Sequence, residues 1–371
     1  MQLPFYYYLL LLRPLKMPLF QLHLPDRKLK MWYKKHVLHF KQPAGTSRGV
    51  LTQKESYILH VQYVNYPELG IGRGECSPIW GLSIDPKEDY ESLIRDICDD
   101  VNNYRAWMFD RLVEYPSIYF GLEMALKDLE QGGKQQLFPS HFTQQKESIE
   151  INGLVWMGEP AFMQQQIEAK LRDGYDCIKL KIGALNFEKE LELLDGIRQQ
   201  YSKEQLEIRV DANGAFEPEK ALDQLHQLNK FDLHSIEQPI KAGQWQQMKK
   251  LCSSSPIPIA LDEELIGIVG WEKKQLLLKT IQPQYLILKP SLVGGFKSTE
   301  GWINIASAFG IKWWMTSALE SNIGLNAIAQ FTYITGNKMP QGLGTGSLYE
   351  NNIGEVDFLK SKQFHFQPLA L

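Results

Sequence analysis

The chain has 371 residues, of which 44% are hydrophobic and 22% charged, and its formal net charge at pH 7 is −3. This length suggests two domains, or a barrel with an appended domain. The nearly balanced charge gives no reason to expect a nucleic-acid partner. Because the four cysteines are widely spread and form no CxxC motif, we expect reduced, buried thiols in a cytoplasmic protein.

Residues 1–30 are expected to form a poorly packed extension, or to precede the true start of the protein at Met17 or Met31. The apolar run at residues 5–12 is too short to span a bilayer. It also lacks the charged flank and the small-residue cleavage site of a signal peptide. We therefore expect no membrane association.

Residues 31–147 have the pattern of a small α+β domain. Alternating apolar residues predict strands at 32–40 and 56–64, and the Pro- and Gly-containing stretch between them at 42–49 predicts a loop. Two helices are predicted at 87–104 and 117–129. The glycine-rich stretch 70–76 is not followed by a helix with the spacing of a phosphate-binding loop, so it predicts a tight strand connection.

Residues 148–346 repeat a strand-helix pattern, beginning with a strand at 148–155 and a helix at 160–172. In the second strand, Lys179 and Lys181 alternate with apolar residues and should point to the same face. Two buried ammonium groups are costly unless they are paired or used. The alternative interpretation is an edge strand with a solvated lysine face.

Three acids then follow three successive apolar runs. Asp211, Glu237 and Asp262 are separated by 26 and 25 residues, which is the length of one βα unit, and a fourth run ends in Lys289. In a βα barrel, the C-terminal ends of the strands surround one site. We therefore expect the two strand lysines, the three acids and Lys289 to lie around one site.

Residues beyond Lys289 add candidate substrate contacts. Ser291 and Gly294 come just after a strand, where a glycine lets the backbone approach a ligand closely. Ser317, which follows the predicted seventh strand at 311–316, could bind a second substrate carboxylate, whereas Ser321 could cap the next helix. A last strand is predicted at 341–346, and residues 347–371 are expected to return to the first domain.

Three converging carboxylates repel one another unless a cation lies between them. Their hard oxygens, with no His or Cys at the matching positions, favour Mg²⁺, or Mn²⁺, over zinc. A metal that faces a lysine base suits proton abstraction next to a carboxylate, with the resulting enediolate held by the metal. Lys179 is then useful as a charge that tunes the neighbouring base.

Five motifs in this part of the chain resemble the enolase superfamily, and specifically its muconate-lactonizing branch, which carries lysines on both sides of the site. The resemblance extends from about residue 31 to the end. It implies an α/β fold, a modified (β/α)7β TIM barrel with an N-terminal α+β capping domain. The motifs are Lys179-Leu180-Lys181, Val210-Asp211-Ala212-Asn213-Gly214, Ile236-Glu237-Gln238-Pro239, Leu261-Asp262-Glu263-Glu264 and Leu288-Lys289-Pro290.

The resemblance also implies roles. Asp211, Glu237 and Asp262 would bind Mg²⁺, and Asn213 and Glu263 would support these ligands. A mobile loop would close over a small carboxylate substrate and contact it through side chains of the 42–49 stretch. The implied catalytic lysines are Lys179, Lys181 and Lys289, and the implied loop contacts are Ser47 and Arg48.

Within the superfamily, lysines on the second and sixth strands exclude the mandelate racemase pattern, which needs a histidine. Dipeptide epimerases carry Asp-x-Asp after the last strand, where this chain has no acid at 344–347. The segments 44–48 and 317–321 are similar to those of the o-succinylbenzoate synthases of menaquinone synthesis. This similarity implies a syn dehydration of 2-succinyl-6-hydroxy-2,4-cyclohexadiene-1-carboxylate. A racemase of N-succinylamino acids, a muconate-type cycloisomerase, a dipeptide epimerase and a non-catalytic barrel that binds a diacid remain as alternatives.

Overall fold

A computed structural model describes residues 18–46, 49–156, 158–183, 186–354 and 356–369. Residues 1–17 and the expected loop contacts Ser47 and Arg48 lie outside these ranges. The described end of the predicted extension is packed, contrary to expectation. Phe20 is buried against Phe296, with ring centroids 5.4 Å apart. The backbone N–H of Leu19 donates to Glu300 Oε1 at 2.6 Å.

The N-terminal part is an α+β domain, which we call the capping domain. Its antiparallel sheet has the order β1-β2-β3, and its helices pack against the sheet. Residues 42–46, predicted as a loop, continue β1 after a register shift between His39 and Ala44. The elements are β1 (Leu29–Thr46), β2 (Gly49–Tyr63), β3 (Gly72–Cys76), α1 (Tyr90–Asp99), α2 (Tyr104–Phe109) and α3 (Pro116–Glu130).

The glycine-rich stretch is explained by the contact between β3 and α3. A Cβ added at Gly74 would lie 1.9 Å from the carbonyl oxygen of Gly121, which no larger residue could tolerate. The glycines therefore let the helix approach the strand closely, and no phosphate-binding loop is formed.

The second part is a parallel sheet with strands in sequential order, which is the arrangement expected of βα units. Strand interiors are almost fully buried because both faces of the sheet are covered. The strands are β5 (Gly153–Val155), β6 (Cys177–Lys181), β7 (Glu207–Asp211), β8 (Ser235–Glu237), β9 (Ile259–Leu261), β10 (Tyr285–Leu288) and β11 (Lys312–Met315).

Helices alternate with these strands and cover the outside of the sheet. Several begin at a proline, which suits the first helical turn because its missing N–H has no intrahelical partner there. The helices are α4 (Pro160–Arg172), α5 (Phe187–Gln200), α6 (Pro218–Leu228), α7 (Trp245–Ser254), α8 (Trp271–Ile281), α9 (Pro290–Val293), α10 (Gly295–Ala308) and α11 (Asn322–Thr335).

Two residues close the sheet into a barrel. Gln341 forms a parallel bridge with Ile151, and Gly342 forms one with Thr316, beside the two edge strands. The backbone N–H of Gly342 donates to the carbonyl of Met315 at 2.8 Å. The predicted last strand at 341–346 is therefore reduced to a pair of bridging residues, while the barrel closure that it was expected to provide is present.

The predicted first barrel strand at 148–155 is divided in two. Its beginning, β4 (Ile149–Glu150), pairs instead with β13 (Gln363–Phe364), which in turn pairs with β12 (Leu359–Lys360). The tail contacts the capping domain around residue 350, where the Glu350 N–H donates to the His39 carbonyl at 2.9 Å, and again through Phe364 and Phe366, whose rings lie against Phe142. Its end also pairs with β4 beside the barrel, and the assignment of residues 347–371 to the capping domain stays a prediction.

No helix in the described ranges is both long and apolar enough to cross a lipid bilayer.

Candidate active site

The acids and lysines singled out in the sequence lie at one rim of the barrel. Because β6 to β10 are parallel, their C-terminal ends point the same way, and Lys181 pairs in register with Asp211, which pairs with Glu237. The three carboxylates are buried, with exposures of 2% for Asp211, 2% for Glu237 and 3% for Asp262. Charged groups buried to this extent have to be paired.

Lysines provide that pairing. Lys179 Nζ lies 2.9 Å from Asp211 Oδ2 and 2.6 Å from Glu237 Oε2, so it bridges two of the acids. Lys289 Nζ forms an ion pair with Asp262 Oδ2. Lys179 and Lys289 are therefore partners of the acid cluster. Because Lys179 is buried on β6, the solvated lysine face considered for that strand is not formed.

The charges perturb one another strongly. Burial lowers the pKa of Lys179, but the charges of Asp211, Glu237 and Asp262 outweigh it, so the pKa lies above its ordinary value. The pKa of Lys289 is raised as well, because the charges of Asp262 and Glu237 outweigh the effect of burial. Burial, reinforced by the charge of Asp211, raises the pKa of Glu237 to about 8. Both lysines are thus held as ammonium groups in this arrangement.

Lys181 has a different environment. It is partly exposed, and its Nζ donates to Asn213 Oδ1 at 2.8 Å. Asn213 Nδ2 donates to Glu263 Oε1 at 3.0 Å, and the Asn213 backbone N–H donates to Asp211 Oδ1 at 3.0 Å. Asn213 therefore joins the lysine to Asp211 and to Glu263, the residue that follows Asp262.

The acid cluster fits a cation, although it is not arranged as a finished metal site. Within the described ranges, no group of three or more His, Cys, Asp or Glu side chains is spaced to hold a metal ion as it stands. Even so, Glu237 Oε1 and Glu263 Oε2 are buried oxygens without a hydrogen-bond partner among the described residues. Such orphaned carboxylate oxygens suit a hard divalent cation.

A cavity of about 110 Å³ opens beside the cluster. Lys179, Lys181 and Lys289 all line it. The rest of the lining combines polar side chains, Asn213 and Thr345 among them, with an apolar set that includes one residue of the capping domain. This set consists of Ile79, Leu154, Trp156, Leu292, Ala318 and Leu319. An anionic group next to an apolar body would complement such a lining.

The predicted substrate contacts are only partly at this cavity. Ser317 lines it, and its hydroxyl lies 2.6 Å from that of Thr345, which also lines it. Ser291 is fully buried and donates to Glu320, and Gly294 lies on a different cavity. The reason is that α9 starts immediately after Lys289 and carries both residues away from the rim.

Ser321 forms a helix cap, as one of the two interpretations predicted. Its Oγ accepts from the N–H of Ile323 at 3.2 Å, at the start of α11. The apolar lining, Trp156 and Ile79 among it, was missed because no chemical pattern distinguishes it from core residues. Thr345 lies between two glycines after the closing bridges, and that position could have indicated a contact.

Comparison with known proteins agrees with this architecture. The model of the enolase C-terminal domain-like family matches residues 162–366. An o-succinylbenzoate synthase of Desulfotalea psychrophila is 48% identical over 359 residues, which cover 88% of this chain and 95% of that relative. The crystal structure of MenC from Desulfotalea psychrophila has a TM-score of 0.81 at 43% identity, covering 91% of this chain and 99% of that one.

A more distant relative is the L-Ala-D/L-Glu epimerase of Bacillus subtilis, which is 23% identical over 305 residues and covers 78% of this chain and 80% of its own. The chain belongs to the enolase superfamily, whose members generally use a divalent metal. Within it, the chain is a homologue of the o-succinylbenzoate synthases, and its similarity to the epimerase is weaker. The predicted superfamily and fold class are thereby confirmed.

Proposed function

We propose that this protein is an o-succinylbenzoate synthase that dehydrates 2-succinyl-6-hydroxy-2,4-cyclohexadiene-1-carboxylate to o-succinylbenzoate and water. The observation that carries this proposal is the 48% identity to such an enzyme along 88% of the chain. Lysines beside buried acids, facing an apolar cavity, suit a ring that carries a carboxylate. With all four cysteines free, we also propose a cytoplasmic location.

Lys181 is the proposed base. Its amine takes the ring proton next to the carboxylate, and Asn213 Oδ1, at 2.8 Å from Nζ, sets the position of that amine. The ammonium that results then gives its proton to the departing hydroxyl on the same face of the ring. One C–H and one C–O bond break, a carbon-carbon double bond completes the aromatic ring, and water leaves.

Lys289 has a different task. Its amine forms an ion pair with Asp262, and we assign it to the ammonium state. In that state it stabilises negative charge on the substrate from the other side of the cavity and accepts no proton. Lys179 keeps Asp211 and Glu237 in place by bridging them.

Asp211, Glu237 and Asp262 are the proposed holders of a divalent metal, Mg²⁺ or alternatively Mn²⁺. When bound, the metal would stabilise the negative charge that develops on the substrate carboxylate. Asn213 and Glu263 would support these acids through the hydrogen bonds described above.

The test is an ultraviolet assay of the purified protein with the cyclohexadiene substrate and Mg²⁺. We expect rapid formation of the aromatic product, its loss in EDTA and its recovery when Mg²⁺ is restored. The Lys181→Ala variant should have no measurable turnover but should still bind the metal. Turnover that survives in this variant would remove Lys181 from the role of base.

Racemisation of N-succinylamino acids is the second candidate, because Lys181 and Lys289, from two different barrel strands, both line the cavity. That reaction needs each lysine to act as a base in one direction. The ion pair of Lys289 with Asp262 disfavours it. Exchange of the substrate α-proton with deuterium from solvent, without dehydration of the cyclohexadiene, would favour the racemase instead.

A further inference from the structure

A second cavity, of about 280 Å³, lies between the capping domain and the barrel. Its walls come from α2, α3 and the turn between them on one side, and from α8, α9 and α10 on the other. Most of the lining is apolar, including Leu112, Tyr119, Ile268 and Val293. At its rim, Ile84, Val269 and Trp271 remain exposed, so the apolar surface is continuous with the protein exterior.

Lys274 of α8 is buried in the wall of this cavity, with 5% of its surface exposed. Its Nζ donates to the carbonyl oxygen of Ser298 at 2.8 Å and to Ser298 Oγ at 2.6 Å. It also lies 5.2 Å from the ring centroid of Trp302. A Cβ added at Gly301, another lining residue, would be 3.6 Å from Nζ, so the amine is next to the open space.

This ammonium has no counter-charge. The residues that line the cavity include no Asp or Glu, and among the described residues no carboxylate forms an ion pair with Lys274. Ser298 accepts two hydrogen bonds from it and the Trp302 ring lies beside it, but neither neighbour carries a negative charge. Lys297, which is exposed, adds a second positive charge to the lining.

An unpaired ammonium in an apolar cavity is costly, and a bound anion would remove that cost. Consistent with this, burial lowers the pKa of Lys274 to about 7. The complementary ligand has one carboxylate for the amine and an apolar body for the walls. The aromatic side chains of Tyr119 and Trp271 suit a flat ring.

We propose that this cavity is a second binding site, which takes a small aromatic monocarboxylate with its carboxylate on Lys274. The site is separate from the catalytic cavity, although Leu292 lies in the wall of both. A ligand bound there would touch α9, the helix that begins directly after Lys289. The two sites therefore have to be distinguished by experiment.

The test is a titration of the full-length protein, with Mg²⁺ present, against 4-fluorobenzoate followed by ¹⁹F NMR line width. We expect saturable binding that is at least about 10-fold weaker in Lys274→Met, which removes one charge-assisted hydrogen bond. Gly301→Leu keeps the ammonium but fills the space beside it, so it should weaken binding as well. The second variant keeps the test decisive if the first does not fold.

Two controls locate the binding. Lys273→Met changes an exposed neighbour on the same helix and should leave the affinity unchanged. Lys181→Ala, in the catalytic cavity, should also leave it unchanged. Lys274→Met should keep wild-type turnover of the cyclohexadiene substrate, so that a failure of the proposed reaction is seen separately.

Three results would overturn the inference: no saturable binding to the wild type, wild-type affinity in both Lys274→Met and Gly301→Leu, or loss of binding in Lys181→Ala alone.

Discussion

Asn213 holds the proposed base against the acid cluster. Its side chain spans Lys181 and Glu263, while its backbone N–H serves Asp211. Its φ is +45°, in the left-handed region that asparagine tolerates better than most residues. One residue thus fixes three groups because its backbone turns sharply at the strand end.

Replacing Asn213 with glycine should remove the amide without straining this backbone. We expect the kcat for dehydration to fall by about 10- to 100-fold, the usual effect of losing a group that orients a site, with little change in folding. Steady-state kinetics and far-UV circular dichroism measure the two effects. The matched control is Asp232→Gly, an exposed residue with φ +46°, which should keep full activity. Equal kinetics in both variants would contradict the positioning role.

That these acids and lysines lie at one site could be predicted from the sequence, because the strand ends recur at a regular spacing along the chain. Parallel strands of similar length bring Asp211, Glu237 and Lys289 to one rim whatever the helices between them do. Ser291 and Gly294 were expected at the catalytic cavity but do not line it, because the short helix α9 follows the strand without a loop. The direction of the first residues after a strand depends on packing, which no local pattern records.

At the scale of elements, the contact between α3 and α10 joins the two domains. Glu123 of α3 accepts the backbone N–H groups of Phe296 and Lys297, at 2.5 and 3.3 Å, in the first turn of α10. A helix N-terminus is a favourable place for a carboxyl group, since its first N–H groups have no partner within the helix. Gly295, with φ +82°, leaves room for that carboxyl.

Substituting alanine for Gly295 should therefore destabilise the protein strongly. Its Cβ would lie 2.2 Å from Glu123 Oε2, so the buried carboxyl would have to leave its N–H partners. We expect a loss of about 1–3 kcal/mol for those hydrogen bonds, added to the backbone strain. Gly310→Ala is the control: φ is +70° but no atom lies within 4 Å, so only strain of about 1–2 kcal/mol should appear in urea unfolding. Similar losses in both variants would contradict the steric argument.

The same carboxyl gives a pH-dependent stability. Burial raises the pKa of Glu123 to about 8, despite the N–H groups of Phe296 and Lys297, from an ordinary value of 4.5. A raised pKa means that this group's contribution is full below about pH 4.5 and is lost as the pH rises through 8. The difference in unfolding free energy between Glu123→Gln and the wild type should thus shift in favour of the variant from pH 5 to pH 9.

Each pKa unit corresponds to about 1.4 kcal/mol, so the shift should amount to a few kcal/mol. It is measured by urea denaturation of both proteins at the two pH values. A difference that does not change with pH would mean that Glu123 remains in one protonation state throughout.

Helices and central strands could be predicted because their hydrophobic periods are long enough to recognise. The extension of β1 and β2 beyond the two predicted strands could not, since Pro43 and Gly45 are ordinary loop signals that a register shift accommodates within the strand. The last barrel strand and the division of 148–155 depend on pairing with residues far away in the chain. Such partners are set by the closed barrel and leave no local trace.

At the scale of the whole molecule, a second glutamate repeats the contact. Glu75 of β3 accepts the N–H groups of Ser321 and Gly324, each at 2.9 Å, at the start of α11. It also accepts the hydroxyl protons of Ser321 and Ser56. Two acids of the capping domain therefore bind the N-termini of α10 and α11, which flank the strand that leads to Ser317.

Because these contacts are buried, the two domains should unfold together. In the wild type, urea transitions followed by tryptophan fluorescence and by circular dichroism should coincide. In the double variant Glu75→Ala and Glu123→Ala they should separate. A control that changes two exposed glutamates, Glu68→Ala and Glu272→Ala, should keep one transition. Coinciding transitions in the first double variant would show that other contacts couple the domains.

The two glutamate contacts also limit which parts of related genes can be exchanged by recombination. A crossover between related genes near the end of the capping domain would join Glu75 and Glu123 to helices that had not been selected with them. A protein encoded by such a recombinant gene would have buried acids without helix N-termini placed to bind them, or N-termini without their acids. Gene segments that encode β3 with α3 and α10 with α11 are therefore expected to be inherited together.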